Sequence, residues 1–158
     1  MRIRLSTLAL VIAALLCFSA GAFANEPAAP VKGQTLFLPL MTHVYLGAKN
    51  RPFNLTKTFT FRNRDRKQDV TLISINYYNG AGKSLGNVLD RPRVIKPLAS
   101  LQIPVASPKK DADKEGSPCL IVRWKADKPV TPPLVQCIMI GATGQQGISF
   151  SATATPIP

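Results

Sequence analysis

The side-chain types that catalyse reactions are scarce in this sequence and lie far apart. Its 158 residues include one histidine, three cysteines and eight carboxylates, against twenty lysines and arginines. A histidine acting in general acid–base catalysis needs a second positioned group, and no thiol or carboxylate lies near His43 in the sequence. We therefore interpret His43 as a packing or hydrogen-bonding residue, and the sequence indicates no catalytic residues, no metal ligands and no cofactor. An enzyme site built from His43, Tyr77, Tyr78 and Asp90 is the less favoured hypothesis.

Cys119 and Cys137 are the two cysteines beyond the N-terminal segment. They lack the Cys-x-x-Cys spacing of a redox pair, and one histidine cannot complete a zinc site with them. The sequence predicts a disulfide between them, which would close a loop of about 19 residues and contribute about 3 kcal/mol. Two free buried thiols are the alternative.

A bridge of this kind favours one strand register. If the two cysteine strands are antiparallel neighbours, Ile121 lies opposite Val135 and Val122 lies opposite Leu134, and both are suitable apolar pairs. In that register Trp124 faces away from the cysteines, and we expect it to pack inside.

The densest basic segment is Phe61-Arg-Asn-Arg-Asp-Arg-Lys67. Arg62, Arg64, Arg66 and Lys67 are the candidate contacts for an anion or a partner, such as a phosphorylated glycan, a lipid head group or an acidic protein. The alternative is a solvated hairpin tip whose charge protects a sheet edge from aggregation. Nucleic acid is not expected, because an exported protein seldom meets it and the nearby aromatic side chains are assigned to the core.

The segment Gly141–Gly147 is rich in glycine but is not a phosphate-binding P-loop, because no Lys-Ser/Thr follows it. One interpretation is a turn whose glycines supply positive φ between two strands. The other is a functional loop in which exposed amides and two glutamine side chains contact a ligand or partner. The residues assigned to that candidate loop are Gly144, Gln145, Gln146 and Gly147.

The N-terminal residues have the pattern of an export signal. Met1-Arg-Ile-Arg4 precedes an apolar run from Leu5 to Phe18, and Ala22-Phe23-Ala24 predicts cleavage before Asn25. We expect a signal peptide over 1–24, a flexible leader over 25–32, one domain over 33–154 and a short tail over 155–158. The protein is then periplasmic or extracellular, with no transmembrane segment in the mature chain. Because Arg2 and Arg4 lie in the signal, eighteen cations and eight carboxylates remain, a net charge of +10.

Short β-rich runs separated by turn clusters follow Gly33, and no long stretch has a helical stripe. Phe53–Arg62 alternates most clearly, with Lys57 as one polar break in its inward row. In Asp69–Tyr78 the alternation of residues expected to face the core shifts by one position between Leu72 and Ile73, which predicts a bulge. Asn79–Gly82 predicts a hairpin turn, and the polar stretch Pro108–Ser117 predicts a surface loop. The pattern is typical of a single antiparallel, immunoglobulin-like β-sandwich of seven or eight strands.

Five segments of the chain resemble DUF 3124, a domain-of-unknown-function family of small exported bacterial proteins. They are Arg51-Pro-Phe-Asn-Leu-Thr56, Ile75-Asn-Tyr-Tyr-Asn-Gly80, Lys96-Pro-Leu-Ala-Ser100, Trp124-Lys-Ala-Asp-Lys-Pro129 and Ile140-Gly-Ala-Thr-Gly-Gln-Gln-Gly-Ile-Ser-Phe150. The resemblance covers Gly33 to Ser151 and implies a bacterial source, export and one compact domain. It implies no activity, substrate or site residues.

These observations favour a non-catalytic binding or interaction module with a basic surface. Its partner would be an anionic component of the cell envelope or a protein. The alternative is an envelope assembly accessory that pairs with a partner strand through a sheet edge.

Overall fold

The computed structural model describes residues 28–107, 116–143 and 146–158. The predicted signal peptide and most of the predicted loop Pro108–Ser117 lie outside these residues. The described chain is all β, with no helix. Its strands are β1 (Val31–Pro39), β2 (His43–Leu46), β3 (Arg51–Asn54), β4 (Thr56–Arg62), β5 (Val70–Tyr78), β6 (Ser84–Asn87), β7 (Arg93–Ile95), β8 (Ser100–Pro104), β9 (Cys119–Val130), β10 (Leu134–Thr143), β11 (Gln146–Thr153) and β12 (Thr155–Ile157).

Two antiparallel sheets pack as a sandwich, which confirms the predicted fold class. Sheet 1 has the order β12-β1-β9-β5-β6, with β7 also paired to β5, and sheet 2 has the order β11-β10-β4-β8. A separate two-stranded ribbon is formed by β2 and β3. The described residues thus form twelve strands where seven or eight were predicted. Part of the excess arises because the chain breaks at Leu55, so that the predicted strand Phe53–Arg62 is divided into β3 and β4.

The alternation predicted for β4 holds in the structure. Leu55, Lys57, Phe59 and Phe61 form one buried row, and even the Lys57 side chain is only 8% exposed. Trp124 of β9 is 2% exposed and packs inside, as expected from its parity. Its indole N–H has no hydrogen-bond partner among the described residues.

Two local predictions for β5 are also confirmed. Against β9, its register shifts between Leu72 and Ser74, so the bulge lies where the alternation shifts. The turn after β5 is closed by the Gly82 N–H, which donates to the Asn79 carbonyl over 2.9 Å. Gly82 has φ of +76°, a left-handed conformation that glycine adopts without a Cβ penalty.

The pairing predicted for the cysteine strands is wrong. β9 lies between β1 and β5 in sheet 1, whereas β10 lies between β4 and β11 in sheet 2. In the strand register, Val122 is therefore paired with Leu36 and Ile75 and not with Leu134. Val135 is paired with Phe61 and not with Ile121. Alternation in the sequence fixes which face a side chain occupies but does not select the neighbouring strand.

The predicted disulfide is absent, because both Cys119 and Cys137 are free thiols. Cys119 and Ile121 are half-buried and lie on the outer face of sheet 1, whereas the alternate residues Leu120 and Val122 are buried on its inner face. Cys137 is fully buried on the inner face of sheet 2. Since successive side chains of a strand point to opposite faces, Cys119 is directed away from the sheet that carries Cys137.

Both ends of the domain extend beyond the predicted limits. β1 begins at Val31, two residues inside the predicted leader. Thr155–Ile157, predicted as part of a tail, forms β12, in which Ile157 pairs with Thr35 of β1. Pro156 is compatible with this position, since β12 is an edge strand and proline is tolerated where no ladder N–H is required.

Candidate functional site

Three connections between strands meet at one end of the sandwich, which we call the basic end: residues 63–69 (β4 to β5), 96–99 (β7 to β8) and 131–133 (β9 to β10). The Asn63 N–H donates to the Ala99 carbonyl over 3.0 Å, and the Leu98 N–H donates to the Asp65 carbonyl over 3.2 Å. Each connection passes from one sheet to the other. The segment 63–69 is therefore a crossover, and its interpretation as a hairpin tip is wrong.

The side chain of Asn63 holds the crossover to its neighbours. It is fully buried, and its Nδ2 lies 2.8 Å from the Gln68 carbonyl, 3.1 Å from that of Ile95 and 3.2 Å from that of Lys96. Its Oδ1 accepts the Asp65 N–H over 2.9 Å. One buried amide thus finds partners for its own polar atoms and ties the crossover to the end of β7 and the residue after it.

Asp65 directs its carboxylate toward backbone N–H groups. Its Oδ1 accepts the N–H groups of Lys67 and Gln68 over 2.8 Å and 2.9 Å, and its Oδ2 lies 3.4 Å from the Thr131 nitrogen. The hydrogen bonds from Lys67 and Gln68 lower the pKa of Asp65 below its ordinary 3.8. The carboxylate is therefore ionised at neutral pH and orders the loop that carries the cations.

Two of the predicted contact residues are held by backbone carbonyls. Arg62 donates from Nη1 to the Leu98 carbonyl over 3.2 Å, and Arg64 donates from Nε to the Pro132 carbonyl over 2.9 Å. Both arginines stay exposed, as do Arg66 and Lys67. The four predicted cations are thus presented by one ordered end of the sandwich.

The carboxylates at the basic end balance only part of its positive charge. Lys96 forms an ion pair with Asp69, with 2.8 Å between Nζ and Oδ2. The remaining carboxylate of the segment is Asp65, which bonds to backbone amides, so the four predicted cations outnumber the acid beside them. An ordered group of exposed guanidinium and ammonium groups suits oxyanions such as phosphate, sulfate or carboxylate.

A groove of about 390 Å³ opens beside Arg64. Its wall includes Pro132, Pro133, Leu134 and Pro156, and it runs between sheet 2 and strands β1 and β12 of sheet 1. A partner bound at Arg64 therefore has both a cation and an apolar wall within reach. Sequence reasoning missed this groove, because it depends on which strands are brought together.

The predicted glycine-rich turn is shorter than seven residues. The ladder between β10 and β11 continues to the pair Thr143–Gln146, so Gly141 and Gly147 are strand residues. Gly144 and Gln145 lie outside the described residues. Of the candidate functional loop, Gln146 and Gly147 belong to β11.

Gly141 has a packing role that its sequence context did not reveal. A Cβ at this position would collide with the Phe53 ring and would lie 2.9 Å from the Asn54 carbonyl oxygen. The absence of a side chain thus lets β3 of the ribbon lie directly against β10.

The alternative enzyme residues lie on separate elements, with His43 in β2, Tyr77 and Tyr78 in β5, and exposed Asp90 in the connection from β6 to β7. Tyr77 is fully buried, whereas its neighbour Tyr78 has the opposite parity and is only half-buried. His43 lies in β2, with Nδ1 3.0 Å from the Thr42 hydroxyl oxygen and its ring packed edge-on to Tyr45 at 4.9 Å. Its described contacts agree with a packing and hydrogen-bonding role.

The thiols are poorly suited to nucleophilic chemistry. Burial raises the pKa of Cys119, and it raises the pKa of Cys137 to about 11. A thiol must lose its proton to act as a nucleophile or a metal ligand, so burial works against both roles. Within the described part of the chain, no group of three His, Cys, Asp or Glu side chains could hold a metal ion. No helix in that part is long and apolar enough to cross a membrane.

Comparison with known proteins gives a family but no described activity. A family model described as "Protein of unknown function (DUF3124)" matches residues 33–157. The crystal structure of Thermotoga maritima 1070 has 11% identity and a TM-score of 0.46, covering 77% of this chain and 92% of the other. No curated protein matches the chain.

Proposed function

Since the chain belongs to the DUF3124 family, whose function is unknown, we propose a role from its surface: a non-catalytic module that binds an anionic partner at its basic end. The observation that carries the proposal is the ordered presentation of Arg62, Arg64, Arg66 and Lys67. Asn63 and Asp65 fix the backbone of their loop, and two of the guanidinium groups are tethered to carbonyls. Such preorganisation lowers the entropy lost when a ligand is bound.

The proposal includes export, which the N-terminal pattern supports. A basic leader, a short apolar core and Ala22-Phe23-Ala24 are the features of a cleaved signal. The partner would then be a component of the cell envelope that displays phosphate or another oxyanion. Such groups occur on phosphorylated glycans and on lipid head groups, and the ligand would use the cations and the groove beside Arg64.

Salt-dependent retention tests the proposal. The mature protein should bind a heparin column and vesicles of anionic phospholipid, and both interactions should weaken steeply as salt rises, because the attraction is between charges. The double variant Arg66→Ala/Lys67→Ala should elute at clearly lower salt. Neither side chain has a described structural hydrogen bond, so the fold should be unchanged. Binding to heparin alone identifies a glycan-like ligand, and binding to vesicles alone identifies a lipid surface.

A matched control removes the same charge elsewhere. Lys49 and Lys83 are exposed in the turns after β2 and β5, away from the basic end. Lys49→Ala/Lys83→Ala should elute close to the wild type. Retention that does not depend on salt, or an equal loss in both double variants, would refute the basic end as the binding site.

The second candidate function is strand addition at β8, and one observation favours it. Among the described strands β8 pairs only with β4, and its residues Ser100–Pro104 carry no charge. Charged side chains normally protect such an edge. A stoichiometric protein complex that persists in high salt and is lost in a β8 variant, while Arg66→Ala/Lys67→Ala retains it, would favour this candidate.

A further inference from the structure

The outer face of sheet 2 is almost free of charge in a strongly basic protein. Fifteen described side chains form this face, here called the neutral face, and fourteen of them are uncharged. They are Thr56, Thr58, Thr60, Arg62, Ser100, Gln102, Pro104, Leu134, Gln136, Ile138, Ile140, Ala142, Ser149, Ser151 and Thr153.

The register places two isoleucines near the centre of this face. Ile138 lies between Ser151 and Thr58, and Ile140 lies between Ser149 and Thr56. The two isoleucines are 44% and 49% exposed although they occupy an inner strand of the sheet. Two exposed isoleucines surrounded by hydroxyl side chains give an apolar centre with a polar, uncharged rim, which is the usual anatomy of a protein interface.

The one charge lies at the end of the neutral face that adjoins the basic end. Arg62 is the last residue of β4, and its guanidinium donates to the Leu98 carbonyl in the connection at the basic end. The outer face of sheet 1 differs, because exposed Arg123 and Lys125 project from its central strand β9.

We infer that the neutral face is the docking surface for a second copy of this chain. Two copies with a charge of about +10 each repel wherever their cations meet, and the neutral face lets them touch with few cations between them. The face is also self-complementary, since a two-fold axis through its centre would pack the isoleucines of one copy on those of the other. A small neutral face offers a strongly anionic partner little attraction, which favours a second copy over the ligand of the basic end.

The small size of the neutral face indicates that the dimer is weak. Four strands at a spacing of about 4.8 Å and about seven residues of about 3.4 Å each give a patch of roughly 19 by 24 Å. A standard stable interface uses about 20–30 residues and about 800 Å² on each partner. Fifteen side chains fall short of this, so we expect a reversible dimer that dissociates in the micromolar range or above.

Sedimentation velocity of the mature protein tests the inference across about 10 µM to about 1 mM. The weight-average mass should rise toward the dimer with concentration, and association should strengthen as salt rises, because salt screens the repulsion between two cationic copies. This dependence is opposite to that of anion binding at the basic end, so the two proposals can fail separately.

Two matched variants locate the surface. Ile138→Lys places a charge at the centre of the neutral face and should weaken the dimer at least about tenfold, equivalent to about 1.4 kcal/mol. Val94→Lys is the control, because Val94 is also an apolar strand residue, 60% exposed, but lies on β7 of sheet 1. It should dimerise like the wild type, and both variants should keep the wild-type melting temperature.

Three results would overturn the inference. They are a monomer at every concentration in both low and high salt, a dimer that weakens as salt rises, and equal association of Ile138→Lys and Val94→Lys.

Discussion

At the residue scale, Asn63 is the most connected polar side chain of the basic end. Its amide nitrogen bonds to the carbonyls of Gln68, Ile95 and Lys96, and its oxygen accepts the Asp65 N–H. A buried polar backbone group without a partner costs about 1–3 kcal/mol, so such a side chain contributes more to stability than a surface asparagine.

We predict that Asn63→Ala lowers the free energy of unfolding by about 2–4 kcal/mol, because it removes a fully buried amide together with its hydrogen bonds to the backbone around it. Urea denaturation of the mature protein measures this loss. Asn79→Ala, in the exposed turn after β5, is the control and should cost less. A change at Asn63 below about 0.5 kcal/mol, typical of a neutral surface site, would contradict the role assigned to its amide.

The lowered pKa of the Asp65 carboxyl group leads to a prediction of how stability depends on pH. Its pKa is lowered in the folded protein, chiefly by the N–H groups of Lys67 and Gln68, so its ionised form stabilises the fold. The contribution is fully present above the ordinary value of 3.8 and is lost as pH falls through the lower folded pKa. The difference in unfolding free energy between wild type and Asp65→Asn should therefore be constant near neutral pH and shrink below 3.8.

Denaturation curves of both proteins across the acidic range check the prediction. Asp127→Asn serves as the control, because that aspartate is exposed on β9. A wild-type advantage that grows as the pH is lowered would have the wrong sign for a carboxylate with a lowered pKa.

At the scale of elements, the sequence predicts the sheet face on which a side chain lies better than it predicts which strands are neighbours. The buried row of Leu55, Lys57, Phe59 and Phe61 and the bulge beside Ile73 follow from alternation, which is a local property of each strand. Strand neighbours depend on contacts between distant segments, and for this reason the pairing assumed for Cys119 and Cys137 was wrong.

The same distinction applies to the candidate site. The basic residues were visible in the sequence because charge is a property of residue type. The crossover geometry, the buried role of Asn63 and the groove beside Arg64 were not visible, because each depends on loops that are distant along the chain.

Gly141 gives a prediction about how the β2–β3 ribbon is attached. Gly141→Ala should displace the Phe53 ring from β10 and lower the free energy of unfolding by about 1–3 kcal/mol, the usual cost of overpacking. Gly147→Ala is the matched control in the same hairpin, since a Cβ there would lie 3.7 Å from the nearest atom, the Gly141 carbonyl oxygen. Thermal denaturation followed by circular dichroism compares the two, and equal melting temperatures would contradict the packing role.

At the scale of the whole molecule, charge is divided unevenly over the surface. The net charge is +12 for the full sequence, yet one sheet face carries a single cation while one end of the sandwich presents four close together. We expect these two surfaces to respond to salt in opposite ways, because one association is opposed by charge and the other is driven by it.

The position of the basic end has a further consequence for the sandwich. The crossovers from β4 to β5, from β7 to β8 and from β9 to β10 all pass between the sheets there. Three of the covalent connections between the two sheets are therefore gathered at this end. An anion bound there would offset the repulsion between the cations. Binding should therefore also raise the resistance of the two sheets to mechanical separation.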